Sequence, residues 1–287
     1  MHIILGGTGH VGSAVAQTLL SQDEPVTIVS RSSSSISGWQ KRGAQVEVVD
    51  VHNTAELRCV FARGKRLFLL NPPADPATNT DVEERKSLAS ILAAIKDSGL
   101  EKIVAESTYG AQPGSQIGDL GVLYEMEQHL AAQSMPFSII RAAYYMSNWN
   151  FSLRSAKQDS VINTFFPADF ALPMVAPRDI GQLAARLMTE PVENIGLYNI
   201  EGPERYSSLD VAKAFAKALQ TPVKVVETPR DQWIQTMKNM GFSNEAASSF
   251  SNMTTLAIEG EMPTRNSVIR GVVSLESYIA ELVHSVV

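Results

Sequence analysis

The chain has 287 residues, 44% of them hydrophobic, enough to bury a substantial core in one large or two coupled domains. Its 24 basic residues against 30 acidic leave a net charge of −6 with no basic cluster, which argues against direct nucleic-acid binding. The one cysteine excludes an intramolecular disulfide, five scattered histidines give no metal-ligand spacing, and no apolar run reaches membrane-span length.

In chain order, residues 1–5 form an apolar strand rather than a signal peptide, so the protein is expected to be soluble and cytoplasmic. Residues 11–21 carry Val11, Val15, Leu19 and Leu20 at helical spacing. Further short runs rich in Val, Ile, Leu or Phe follow at 25–30, 45–49, 66–70, 102–106 and 137–141, as strands buried on both faces should be. Helical patterns occupy 54–63, 80–98 and 120–133 between them. The first of these holds Cys59, which reads as a buried core thiol. The second opens with Asp81, Glu83 and Glu84 and closes on Lys96 and Gly99, the polarity and C-terminal glycine of a helix. This alternation predicts an α/β fold built on a doubly wound parallel sheet.

Past Tyr144 the rhythm changes. A helix is expected over 146–155, then an irregular stretch with Pro167, Pro173 and Pro177, then a helix to Thr189 capped by Asp179. A strand at 197–200 is expected to rejoin the sheet. A helix over 207–220, a strand over 223–226, a helix over 229–240 and a mainly helical remainder complete the chain. The division implied is a dinucleotide-binding domain at 1–145 and a smaller mixed α/β lobe at 146–287, with a cleft between them beyond the strand ends.

The most informative segment is Gly6-Gly7-Thr8-Gly9-His10-Val11-Gly12, a glycine triplet between the first strand and the first helix. Gly6 allows the tight turn, Gly9 lets backbone approach a pyrophosphate, and Gly12 lets the helix pack close to the sheet. The helix N-terminus then offers free N–H groups and a positive dipole end to phosphate. An NAD-preferring site places an acid about 20 positions further on. Arg31 stands there instead, followed by serines through Ser35. A guanidinium complements a 2′-phosphate that a carboxylate would repel, so NADP(H) is favoured, with NAD(H) as the alternative.

The glycine segment and Arg31 resemble the NmrA-like branch of the atypical short-chain dehydrogenases, NAD(P)-binding proteins of Rossmann fold. So do Asp50-Val51, Asn71-Pro72-Pro73, the run 134–141, the run 176–180 and the run 200–204, so the resemblance spans nearly the whole chain. It implies that Asp50 accepts from the adenine amino group with the Val51 backbone beside it. It also implies that Asn71, Pro72 and Pro73 line the nicotinamide-side ribose, and that residues 142–145, with Ala143 and Tyr144, pass the nicotinamide ring.

The larger family uses a serine, a tyrosine and a lysine four residues after the tyrosine. Ser107 falls at the serine position. With the next helix anchored on Glu127, the tyrosine position is Asp119 and the lysine position is Leu123, so both are lost. Tyr124 lies one residue past the lysine slot, about 100° round the helix, with Gln128 rather than lysine four residues on, and reads as a cleft-wall or packing residue, with proton donor as the alternative. Quinones, flavins and azo compounds can be protonated from water after reduction, so reductase chemistry survives the loss, whereas alcohol–ketone interconversion and epimerase chemistry are disfavoured. Tyr109, Tyr144, Tyr145, Met146, Trp149 and Phe170 are expected to wall a site for a flat substrate. The reading is an NADPH-dependent oxidoreductase of small conjugated acceptors such as quinones. The alternative is a non-catalytic NADP(H) sensor acting through a regulatory protein partner. Neither a membrane nor a metal is expected.

Overall fold

The computed structural model describes residues 1–33, 36–260 and 268–285. The first half runs β1 (His2–Leu5), α1 (His10–Leu20), β2 (Val26–Ser30), α2 (Ile36–Gln40), β3 (Gln45–Val48) and α3 (Thr54–Phe61). It continues through β4 (Arg66–Leu69), α4 (Thr80–Ile95), β5 (Lys102–Thr108), α5 (Asp119–Ala131) and β6 (Phe137–Ala142). Then come β7 (Tyr144–Tyr145), a 3-10 turn at Met146–Phe151, α6 (Ser152–Gln158), β8 (Val161–Thr164), β9 (Leu172–Val175) and α7 (Pro177–Thr189). The chain goes on with β10 (Gly196–Glu201), β11 (Arg205–Tyr206), α8 (Ser208–Leu219), β12 (Lys224–Glu227) and a 3-10 turn at Arg230–Gln232. Last are α9 (Trp233–Asn239), α10 (Asn244–Glu259), β13 (Val268–Arg270) and α11 (Leu275–His284).

The large sheet has the order β13-β10-β6-β5-β4-β1-β2-β3, with every neighbouring pair parallel. Alternate strand residues feed two cores. Ile4, Ile28, Phe68, Val104 and Ile140 pack with α1 and α7, while Ile3, Leu5, Leu67, Leu69 and Ile103 pack with α3, α4 and α5. Burial on both faces is why these strands read as near-continuous apolar runs. The smaller lobe holds two short sheets, β11-β9-β7 and β12-β8. Its core includes Met146, Trp149, Ile162, Phe215 and Leu275.

The second half of the chain is shared between both regions. Beyond the expected return of β10 against β6, β13 extends the same sheet and α7 lies on α1. The helices cross so closely that a Cβ on Gly181 would stand 2.5 Å from Ala14 Cβ.

Several expectations need correction. The helix expected over 146–155 is a 3-10 turn followed by α6, and the one over 229–240 is a 3-10 turn followed by α9. Asp179 is not a cap. Helix α7 starts at Pro177 with Ala176 as its N-cap, and Asp179 is buried, accepting from Val273 N at 3.1 Å. Helix α4 stops at Ile95, with Lys96 as C-cap, before the Gly99 that was expected to end it. Cys59 is exposed, because α3 buries Leu57, Val60 and Phe61 and position 59 falls off that face. The irregular stretch contains β8 and β9, too short to register as alternation. No helix among the described residues is long and apolar enough to cross a membrane, and none of their His, Cys, Asp and Glu side chains group in threes fit to hold a metal.

Candidate active site at the strand ends

Because the sheet is parallel, the carboxyl ends of β3, β2, β1, β4, β5 and β6 lie along one edge. Asp50, Arg31, the 6–12 turn, Asn71, Tyr109 and Ala143 follow those strands in that order. The 6–12 turn is shaped by what it leaves out. A Cβ on Gly12 would stand 2.3 Å from Gly6 O, so only glycine lets α1 begin this close to β1. Gly9 is the N-cap of α1 in ordinary extended backbone, and a Cβ there would meet only Gly6 O, at 3.3 Å. Helices α3, α4, α8, α10 and α11 each close their N-terminus with an Asn or Ser side chain, whereas α1, like α5, α6, α7 and α9, has no such cap, and α1 has no acid in its first turn. Its orphan N–H groups are left to an anion.

The neighbours fit a dinucleotide. Thr8, exposed, has Oγ1 3.3 Å from Ser30 Oγ, and His10 Nε2 lies 3.5 Å from Asn150 Nδ2. Val11 and Val51 point into the cores and offer backbone alone. Arg31 is exposed at the end of β2, and no described carboxylate pairs with it; Ser34 and Ser35 lie outside the described residues. Asp50 is exposed and accepts from His52 N at 3.0 Å through one oxygen.

On the other side of the turn, Asn71 donates from Nδ2 to Glu84 O at 3.1 Å, and its Oδ1 is buried without a partner. An orphaned acceptor at this point suits a ribose hydroxyl. Glu84 also accepts from Ala74 N at 3.1 Å, so α4 ties down the Pro72-Pro73 segment at both ends.

Glu84 belongs to a cluster of carboxyl groups. Its side chain shares a hydrogen bond with Asp119, the first residue of α5, and Asp81 stands near both. Burial pushes the Glu84 carboxyl well above its usual range, with the Asp119 charge adding to the shift and the bond from Ala74 N opposing it. Burial also raises Asp119, opposed by the bond from Glu84. The Asp119 side chain is exposed to solvent. Asp81 is buried, accepts no hydrogen bond, and faces Arg85 Nη1 at 3.6 Å. Arg85 is held in turn by Glu125. Nearby, the Tyr145 hydroxyl donates to Glu106, whose carboxyl burial pushes up to about 7. Burial and the Glu106 charge raise the Tyr145 phenol, and the charge of Asp119 reaches it as well.

The three sequence positions for catalysis fall apart. Ser107 is fully buried and donates to Glu127 Oε1 at 2.6 Å. Arg141 grips the same carboxylate through Nε at 2.8 Å and Nη2 at 2.5 Å. Glu127 thereby sets the rotation of α5 against β5 and β6. Asp119 and Leu123 follow from that register, Leu123 packing against the helix-side core. Tyr124 is half-buried near Arg141.

The expected substrate wall separates into two groups. Tyr144, Trp149 and Phe170 join one aromatic cluster: Phe166 stacks on Phe170 at 6.1 Å and meets Tyr144 edge-on at 5.7 Å, and Trp149 lies 6.3 Å from Tyr144. Tyr144 is deep enough that burial pushes its phenol up to about 12. Trp149 Nε1 is buried without a partner. Tyr109 and Tyr145 pack instead against the sheet core, with Tyr109 donating to Glu201 at 3.4 Å. Ala143 is buried, its N–H donating to Ile200 O at 3.0 Å.

The NmrA-like family model matches residues 2–279. The chain belongs to the NmrA-like family. An NAD(P)H azoreductase of Xenophilus azovorans is 23% identical over 264 residues, covering 90% of this chain and 87% of that protein. The triphenylmethane reductase of Citrobacter sp., solved with NADP(H), superposes with a TM-score of 0.77 at 20% identity, covering 100% of this chain and 99% of that one. An NADPH-dependent quinone oxidoreductase from Escherichia coli, solved with NADPH, gives 0.79 at 18% identity, covering 98% and 99%. These structures share the fold.

Within this NmrA-like chain, sequence reading missed Asp81, Glu84 and Glu106 as parts of the site. The signal was present for two of them. Asp81, Glu84, Leu88 and Ile91 recur at helical spacing on the buried face of α4, so two acids stand on a stripe that should be apolar. Glu83, one position away, is the ordinary solvated acid and pairs with Lys86 at 2.7 Å.

Proposed function

We propose that this protein is an NADPH-dependent oxidoreductase that reduces small conjugated acceptors such as quinones or azo compounds. The observation that carries the reading is the uncapped N-terminus of α1 behind its glycine turn, with Arg31 rather than an acid at the end of β2. The turn and helix would hold the pyrophosphate, Arg31 the 2′-phosphate, Asp50 the adenine and Asn71 the ribose. When bound, the reduced nicotinamide supplies a hydride. The NAD(P)H azoreductase and the NADPH-dependent quinone oxidoreductase to which the chain is similar support this substrate class. Tyr144, Trp149 and Phe170 would give a flat acceptor an apolar face, with Tyr145 and Tyr109 on the sheet side.

A second reading has its own support: Asp119 and Leu123 occupy the tyrosine and lysine positions of the larger family. On that reading the protein is an NADP(H) sensor whose occupancy changes its affinity for a regulatory protein. Incubating the pure protein with NADPH and a panel of quinones and azo compounds, and following NADPH absorbance, separates the two. Acceptor-dependent oxidation of NADPH is expected. Tight NADPH binding with no turnover across the panel would leave the sensor.

A further inference from the structure

We propose that Tyr145, held by Glu106, is the proton donor that lets an azo group accept the hydride. The inference rests on the reductase reading and names the acceptor that gains most from such a donor. Tyr145 lies in β7, whose backbone is fixed by pairing with β9 at Val175. Its hydroxyl nevertheless reaches back to Glu106 on β5, the strand beside β6. The ring therefore lies across the ends of β6 and β5, beside Ala143. Alternation along β5 explains why this residue serves and the family serine does not. Ser107 faces α5 and is spent on Glu127 at 2.6 Å, so Glu106 before it faces the other side of the sheet, where Tyr145 packs.

Two buried oxygens on neighbouring strand ends lack partners and mark the same floor as a place for a guest. Glu106, 4% exposed, accepts from Tyr145 on one oxygen and leaves Oε2 bare, and Asn71, after β4, leaves Oδ1 bare. A buried carboxylate with one bare oxygen is costly, so Glu106 rests as the neutral acid. Burial, opposed by the Tyr145 bond, pushes its carboxyl up to about 7, in the same sense. A neutral carboxyl can also donate its own O–H to the Tyr145 oxygen, which turns the phenolic proton toward a guest. Glu106 itself is covered, so it is a positioning residue that acts through the half-buried Tyr145.

Reduction of an azo group consumes one hydride, from the reduced nicotinamide, and one proton. Hydride addition to one nitrogen breaks the N=N π bond and leaves its electron pair on the other. The Tyr145 O–H bond breaks as the new N–H bond forms there, and the Glu106 proton passes to the Tyr145 oxygen in the same motion. The phenol ends neutral and Glu106 ends as a carboxylate. The hydrazo product leaves, and solvent returns the proton. Water could protonate a reduced quinone or a reduced azo group. A donor in place spares the free nitrogen anion, which is far the more basic of the two.

The test compares the full-length wild type with Tyr145→Phe and Glu106→Gln, reading single-turnover oxidation of bound NADPH by an azo compound and by a quinone. The azo rate is expected to fall at least tenfold in both variants, toward the hundredfold typical of a lost general acid. The quinone rate should fall less than about threefold, a split that a merely structural role would not produce. NADPH affinity by fluorescence titration should also stay within about threefold, since neither change removes a phosphate or base contact. Infrared spectra of the cofactor-free proteins in mildly acidic buffer should show a protonated-carboxyl band that is lost in Glu106→Gln and shifted in Tyr145→Phe. If Glu106→Gln does not fold, Tyr145→Phe carries the rate split and the band shift. Variants equal to the wild type with the azo compound, or equally slowed with both acceptors, overturn the donor role. So does a carboxyl spectrum that neither variant changes, or a wild type that reduces quinones alone. A wild type that reduces nothing overturns the reductase reading and this role with it.

Discussion

Arg31 and Tyr124 are the residues whose sequence assignments can be tested one atom at a time. Arg31 is exposed at the end of β2 and pairs with no described carboxylate, at a position where a carboxylate would select NAD. Arg31→Ala is therefore expected to cut the preference for NADPH over NADH by roughly ten- to hundredfold, the worth of one charge-assisted phosphate contact. Titration calorimetry of both cofactors checks it, and equal affinities in the parent protein would end the assignment. Tyr124 lies a residue beyond the lysine slot, half-buried near Arg141. Tyr124→Phe should keep kcat within about tenfold, whereas a true general acid is worth 10²–10⁴; a stopped-flow loss beyond a hundredfold would make it the donor. Sequence placed these residues because glycine turns and strand ends have fixed offsets. It could not show that the Ser107 hydroxyl is held by Glu127, since that bond spans 20 residues and joins a strand to the following helix.

At the scale of elements, α1 was legible because its glycines, its strand and its apolar spacing agree. Its two functional glycines should respond in opposite ways. Gly9 has ordinary backbone angles and only one near neighbour for a Cβ, so Gly9→Val should fold and lose dinucleotide binding. Gly12 has backbone at 2.3 Å, so Gly12→Val should unfold or fail to express. Circular dichroism with NADPH fluorescence titration separates them. Unimpaired binding by a folded Gly9→Val would mean the phosphates lie elsewhere. The elements that escaped sequence reading share a physical trait: β7, β11 and β9 are two to four residues long, and the 3-10 turns have no period of their own. Helix α7 was placed three residues late because Asp179 resembles a cap. Its carboxylate is instead spent across the fold on the backbone of Val273.

For the molecule as a whole, the parallel sheet and its strand-end site followed from alternating apolar runs, while the interleaving of the second half through α7, β10 and β13 did not, because it depends on long-range packing. That packing buries acids, which gives the folded state a distinctive response to pH. Glu106 is pushed up to about 7 by burial, and Glu84 and Asp119 are raised in the same sense. Between the usual carboxylate range and these raised values, the native state binds protons that the unfolded chain has released. Stability must therefore fall as pH rises through the native values. His2 acts in the opposite direction, because burial lowers its imidazole and the unfolded histidine gives up its proton near 6.5. Its contribution is complete by about pH 7, so the carboxyl groups dominate the range from about pH 7 to 8.5. Over that range the cofactor-free protein is expected to lose on the order of 1 kcal/mol, offset in part towards its alkaline end by Lys102, whose ammonium burial lowers. Urea unfolding should show a lower midpoint at the higher pH with an unchanged slope. Glu84→Gln, which removes a proton-holding acid but keeps an acceptor for Ala74 N, should flatten the fall. A midpoint that holds steady or rises would mean that water or conformational relief ionises these groups in the native state.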